Sequence, residues 1–380
     1  MAVRKERGKV LPVICGTMFF LGFQVGGLQL TVAQISAELA LDEAQAGALI
    51  SMQYACMIVI PLAVGALSDR VGKKAMLLAA QILYCLGCIG VCAGTSFHEL
   101  TGAVLLTGAG YGSAQAASSA ALADRYGDSS YKYQNLSQCM FSLSAFLSPI
   151  ITHNTGLPWR AVFGIAGIGV FVCAAVLLAE RGRDWKEHAG GGGLIWPEAG
   201  RLLGRLWLPM LCMMLCVGLE NGITYFSSLL FAQRNWDSAY TACALSAFWI
   251  SVTVMRLVVS RLDISPLKAV GRMQLCLGVV LLLICRVNTP FSAIVLFGAA
   301  GGCLSILGPS LIGQAAAACP AHTGIASSLM ISASGVGSVV MPVLMGRLAS
   351  TLNMEASYLS IAVLAFCGSL LAGAARRSAD

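Results

Sequence analysis

Long apolar stretches alternate with short polar breaks along this chain. Charges, prolines, glycines and asparagines divide it into apolar segments near residues 11–34, 44–66, 74–95, 99–122, 135–156, 160–179, 206–231, 240–260, 268–287, 291–313, 323–346 and 355–375. Each runs roughly 18 to 25 residues, the length a helix needs to cross a hydrocarbon core about 30 Å thick. Backbone groups in lipid must bond within their own segment, so helices are expected and open strands are not. The pattern predicts an all-α membrane protein with twelve transmembrane helices.

Composition agrees. Hydrophobic residues make up 57% of the chain and charged residues 11%, against roughly a quarter charged in a soluble domain. Mean hydropathy is +0.80. The net charge of +7 does not form a nucleic-acid stripe, because the basic residues sit in the breaks between apolar segments. One set of alternate breaks and ends holds Arg4, Lys5, Arg7, Lys9, Arg70, Lys73, Lys74, Arg125, Lys132, Arg181, Arg183, Lys186, Arg201, Arg205, Arg261, Lys268, Arg376 and Arg377. The other set holds only Arg160, Arg234, Arg286 and Arg347. The positive-inside rule then places both termini in the cytoplasm, in a multi-pass protein of the cell inner membrane. The first apolar segment is too long for a signal peptide and lacks a small-residue cleavage site, so it is read as the first helix.

The longest polar break surrounds Gly190-Gly191-Gly192-Gly193 and carries both charge signs, which suits a flexible cytoplasmic linker over 181–205. It separates a six-helix bundle at 1–180 from another at 206–380. The halves echo each other at a shift of about 190 to 196 residues: Asp69 with Asp263, Gly108-Ala109-Gly110 with Gly298-Ala299-Ala300, and Pro149 with Pro342. Parallel repeats of this kind predict two pseudo-symmetric bundles with a site near midplane between them.

Other chemistries find little support. Cys85, Cys88, Cys92, Cys212, Cys216, Cys276, Cys285 and Cys303 all fall inside apolar segments and read as packing residues. The pair Cys85 and Cys88 has no second pair or histidine at zinc-site spacing, so no metal and no cofactor is expected. His98, His153, His188 and His322 are scattered, with no acid at catalytic spacing, so an enzyme is not expected.

Between the second and third segments stands Gly65-Ala66-Leu67-Ser68-Asp69-Arg70-Val71-Gly72-Lys73-Lys74. This resembles the cytoplasmic signature loop of the major facilitator superfamily at every defined position. The resemblance implies the major facilitator fold, a monomer, and a conformational latch made by Gly65, Asp69, Arg70, Gly72 and Lys73. Three further stretches are similar to the fucose:proton symporter family and its sugar-porter relatives. They are Val217 to Asn221, Leu245 to Trp249 followed by Arg256-Leu257, and Thr323 to Ser328 leading to Met341-Pro342. Where that family carries membrane acids on its first and fourth helices, this chain aligns Gln29 and Gln115, and an amide does not titrate.

Glu220 is then the acid nearest the middle of an apolar segment. A carboxylate is expensive to keep charged at that depth without a partner, which makes Glu220 the candidate for proton coupling or a direct bond to substrate. The alternative is a permanent pair with Arg256 that joins two helices. Asn221, Thr224 and Tyr225 extend a polar face from Glu220. Gln24, Gln115, Asn135, Gln138 and Trp249 are expected to complete the cavity. No basic residue lies at a helix centre, and snorkelling accounts for Arg256 near its helix end. The set favours a neutral polar small-molecule substrate, a sugar or polyol, imported by alternating access with protons as a candidate partner. An exporter of a small amphipathic compound is the alternative. Ser144 and Ser148 in place of an exporter's glycines, and Val104 in place of its arginine, count against it.

Overall fold

The computed structural model describes residues 10–60, 63–64, 72–126, 130–180, 196–259, 266–305, 311, 315 and 323–377. Among them the chain is helical, without strands. The helices of the first half are α1 Val10–Glu38, α2 Glu43–Ala55 with a 3-10 turn at Cys56–Ile58, α3 Lys73–Ala93, α4 Phe97–Tyr126, α5 Ser130–Thr155 and α6 Trp159–Ala179. Those of the second half are α7 Trp196–Tyr225, α8 Ser227–Gln233, α9 Ser238–Val259, α10 Pro266–Arg286, α11 Pro290–Leu304, α12 Thr323–Thr351 and α13 Met354–Arg377. Among the described residues, seven helices are long and apolar enough to cross a membrane by length and composition.

Local signals account for the helix ends. Asp42 accepts from the Gln45 amide at 2.6 Å while the Gln45 side chain accepts from the Asp42 amide at 3.1 Å, a reciprocal cap at the start of α2. Thr289 caps α11, and Pro290 occupies its first turn, where a missing N–H costs nothing. Gly72 opens α3 at φ 100°, a conformation that a side chain would strain.

The seventh segment differs from the sequence expectation in two ways. The seventh helix starts at Trp196 and not near 206, because Pro197 suits a first turn and Arg201 and Arg205 are good helix formers that merely interrupt the apolar run. That same membrane segment breaks at Phe226, whose φ of −90° and ψ of 0° separate α7 from α8. Hydroxyls flank the break: Thr224 donates to the Glu220 carbonyl at 2.8 Å and Ser227 to the Thr224 carbonyl at 2.6 Å. Such side-chain bonds compete with the regular helical ladder.

Surface and interior follow the logic of lipid as solvent. Ile168, Phe171, Phe291 and Leu370 lie exposed on the outside, whereas amides and hydroxyls turn inward and tie helices together. Gln81 on α3 donates to Thr17 on α1 at 2.8 Å, and Gln274 on α10 donates to Cys216 on α7 at 3.1 Å, the equivalent cross-link of the second half.

Each half uses the same neighbour scheme. Helix α1 packs on α5 and α6, α3 on α4 and α6, and α2 on α4. Likewise α7 packs on α12 and α13, α10 on α11 and α13, and α9 on α11. Glycines set the closest approaches: a methyl group on Gly108 would overlap the Gln53 carbonyl, and one on Gly301 would overlap the Phe248 carbonyl.

At the face remote from the chain termini, here the distal face, an arginine pins each half. Arg160 pairs with Glu38 and donates to the Gly94 carbonyl at 3.1 Å. Arg234 pairs with Glu355 at 3.2 Å and donates to the Val287 and Ile284 carbonyls at 3.0 and 3.2 Å. A cation there satisfies carbonyls left open at a helix C-terminus.

The halves meet through α2 against α12 and α5 against α9. Ser51 on α2 lies 2.8 Å from the Val339 carbonyl, and Ser246 on α9 donates to the Phe146 carbonyl at 2.8 Å. Each carbonyl stands three residues before a proline inside its helix, Pro342 and Pro149 respectively. Gly47 and Gly346 let α2 and α12 touch backbone to backbone near the distal face, and His153 meets Ser238 there at 3.2 Å. The halves are therefore closed together on the distal side.

Candidate functional site

Mid-depth between the halves, the inward-turned polar face of α7 meets aromatic residues from both bundles. The Tyr54 and Tyr225 hydroxyls lie 2.6 Å apart and share a hydrogen bond across the boundary. Ring contacts then run from Tyr54 to Tyr111 at 6.0 Å, Tyr111 to Phe141 at 6.3 Å, and Phe141 to Trp249 at 5.9 Å. These rings come from α2, α4, α5, α7 and α9, so the wall is continuous only when both halves are in place. Edge-on geometries such as the Tyr54–Tyr111 pair, perpendicular at 90°, suit aromatic quadrupoles.

Polar groups decorate this wall. Gln115 donates to the Tyr111 hydroxyl at 2.9 Å, one turn back on α4. Trp249 donates its indole N–H to Gln29 at 2.9 Å, a further bond between the halves. Glu220 interacts electrostatically with Tyr54, Tyr111, Tyr225 and Arg256. Neither an ion pair nor a hydrogen bond joins its carboxylate to Arg256, the partner that the structural alternative required. Arg256 donates Nε to the Ser305 carbonyl at 3.4 Å and leaves one terminal guanidinium nitrogen buried without a hydrogen-bond partner. The side-chain amide nitrogens of Asn221 and Gln29 are also buried and, among the described residues, unpartnered. Such groups are costly unless something accepts from them.

The residues singled out from sequence fall into three groups. Glu220, Asn221, Tyr225, Gln115 and Trp249 gather at the boundary, and Trp249 is 2% exposed, buried and away from lipid. Gln24 is instead committed to Gln53, which donates back to it at 3.0 Å, and holds α1 to α2 inside the first half. Gln138 is half-buried on α5, where its backbone carbonyl accepts from Ser142. The Asn135 side chain lies outside the described residues, as do Gly65, Asp69 and Arg70 of the signature loop. Of that loop, Gly72 and a buried Lys73 open α3.

Tyr54 and Tyr111 escaped the sequence reading. A signal existed for both: Tyr54 follows Ser51 and Gln53 in a polar stripe, and Tyr111 lies four residues before Gln115. An apolar crevice lined by Leu28, Val32, Leu49, Val104 and Phe163 lies inside the first half, away from this cluster, and offers little polar chemistry.

The sequence profile of the Major Facilitator Superfamily matches residues 14–285. The chain belongs to the major facilitator superfamily. Crystal structures of this fold align along nearly the whole superfamily member. A bacterial homolog of the human lysosomal transporter Spinster, inward-facing and unoccupied, covers 98% of each chain at 13% identity, with a TM-score of 0.77. The peptide transporter POT in complex with alafosfalin covers 98% of this chain and 96% of its own, at 16% identity and a TM-score of 0.77. The E. coli fucose:proton symporter covers 96% and 98%, at 16% identity and a TM-score of 0.69. The fucose symporter is thus one of several neighbours and is not singled out. A curated relative, the vacuolar basic amino acid transporter 1 of Saccharomyces cerevisiae, is 32% identical over 119 residues, 30% of this chain. This chain spans about a fifth of that relative's length, 21%.

Proposed function

We propose that this major facilitator protein is a secondary carrier that moves a small polar solute by alternating access, through the boundary between its halves. The observation that carries this reading is Glu220. It stands among Tyr54 and Tyr111 of one half and Tyr225 of its own, without an ion pair or hydrogen bond on its carboxylate among the described residues. A carboxylate so placed changes surroundings whenever the halves rock apart, which is what coupling of proton movement to the cycle requires. Gln29, Gln115 and Asn221 supply amide groups, and the aromatic wall supplies apolar faces for a small molecule.

With both termini cytoplasmic in the cell inner membrane, the distal face is the outer one and the observed state faces inward. The loop from Gly65 to Lys73 then latches the opposite state. The linker read from sequence at 181–205 joins the two bundles of a monomer, 1–180 and 206–380; its residues 196–205 belong to α7 and 181–195 lie outside the described residues. A sugar or polyol fits amides against aromatic rings, and proteins named for amino acids and peptides stand among the chain's relatives and fold neighbours.

The test is internal pH in proteoliposomes carrying a pH-sensitive dye while single solutes are added outside. A transported solute is expected to shift the lumenal pH with the native protein and to exchange without that shift in Glu220→Gln. An unchanged shift in a folded, inserted Glu220→Gln variant would remove Glu220 from the coupling role.

A further inference from the structure

The boundary site holds more chemistry than a neutral solute uses. Three of its buried atoms without a hydrogen-bond partner among the described residues, one Arg256 guanidinium nitrogen and the amide nitrogens of Asn221 and Gln29, are N–H donors. A sugar hydroxyl both donates and accepts, so it answers such donors weakly. A carboxylate only accepts, and it meets a guanidinium with charge-assisted bonds about twice as strong as neutral ones. Arg256 is also held in place, because its Nε is tied to the Ser305 carbonyl. It does not snorkel out as the sequence suggested. Its charge is felt by Glu220 on α7 and Cys139 on α5, which puts it at the boundary between the halves.

The opposite pole is anionic and aromatic. Glu220 interacts with Tyr54, Tyr111 and Tyr225 together. An acid beside several phenol groups is an environment that holds an ammonium group, through charge and through oxygen acceptors for its N–H bonds. Glu220 and Arg256 sense each other without closing into an ion pair. Two opposite charges held apart in a low-dielectric interior suit a ligand that carries the complementary charges in reverse order.

We infer that the solute is an amino-acid zwitterion, its ammonium seated at Glu220 among Tyr54, Tyr111 and Tyr225 and its carboxylate on Arg256. This rests on the carrier reading above and narrows its substrate from a polar solute to one bearing both charges. Glu220 then serves as counter-ion to the substrate as well as carrying the proton. The same group does both in turn: protonated when the site is empty, ionised when an ammonium replaces the proton.

Counterflow in proteoliposomes tests this, with radiolabelled L-alanine, L-lysine and L-glutamate, the dipeptide alanyl-alanine, and glucose and fucose as neutral probes. At least one free amino acid is expected to exchange, while its methyl ester and its N-acetyl derivative compete at least tenfold more weakly. Arg256→Gln should weaken the intact amino acid at least tenfold yet leave competition by its methyl ester unchanged. Arg256→Lys should recover part of the loss, which a merely structural role would not give. Glu220→Gln should do the same for the N-acetyl derivative. Exchange of alanyl-alanine but of no amino acid would overturn the inference in favour of a longer zwitterion. Exchange of a neutral sugar with no amino acid would overturn it while the carrier reading stands. Exchange of no probe, in a protein whose halves do not move on spectroscopic distance measurement, would overturn the carrier reading itself.

Discussion

Removing two of the serine hydroxyls that bridge the halves should open the distal face. Ser51 with the Val339 carbonyl and Ser246 with the Phe146 carbonyl stand at equivalent places on the two sides of the boundary, each at 2.8 Å. A bond of this kind contributes about 1 kcal/mol net. The two share no partner, so their losses should add. Together that is about 2 kcal/mol, or roughly a 30-fold change in the ratio of distal-closed to distal-open molecules. The two are not equal. Ser51 also lies 2.8 Å from the Gly47 carbonyl of its own helix and keeps that acceptor when the halves separate. Ser246→Ala should therefore shift the balance more than Ser51→Ala. Spin labels on genetically encoded amino acids at Asn154 and Asp237, exposed at the distal ends of α5 and α9, report the separation by pulsed electron resonance. The double variant is expected to populate a longer distance that the native protein populates little. A distribution identical to the native one, in a folded double variant, would refute the view that these bonds hold the closed state.

Two stability predictions follow from packing. Gly108→Ala and Gly301→Ala each place a methyl group against a backbone carbonyl that no rotamer change can move, so each should cost about 1–3 kcal/mol and lower the melting temperature in detergent. Gly102→Ala, with open space around it, should leave that temperature unchanged. Arg234→Met should destabilise by about 2 kcal/mol through loss of charge-assisted bonds to carbonyls and to Glu355. Arg160→Met should cost less in the same thermal assay, since the Arg160 side chain is 29% exposed against 12% for Arg234.

The sequence by itself determined the membrane class, the helical spans and the duplicated halves. Those properties are one-dimensional: an apolar run long enough to cross lipid must be a helix, and repeats show as a shared offset such as Pro149 with Pro342. Glu220 was legible for the same reason, as an acid in the middle of an apolar run. Tertiary structure decided what each polar side chain meets, because helix rotation and tilt depend on packing against neighbours that a single segment does not encode. Gln24 and Gln29 lie close together on one helix, yet one is spent on Gln53 within its own half and the other reaches across to Trp249. Tyr54 and Tyr225 are 171 positions apart in sequence and bonded through their hydroxyls. Arg256, placed near a helix end by counting, is turned inward because its guanidinium finds the Ser305 carbonyl and the field of Glu220 on that side. Lipid on the other side offers a cation neither.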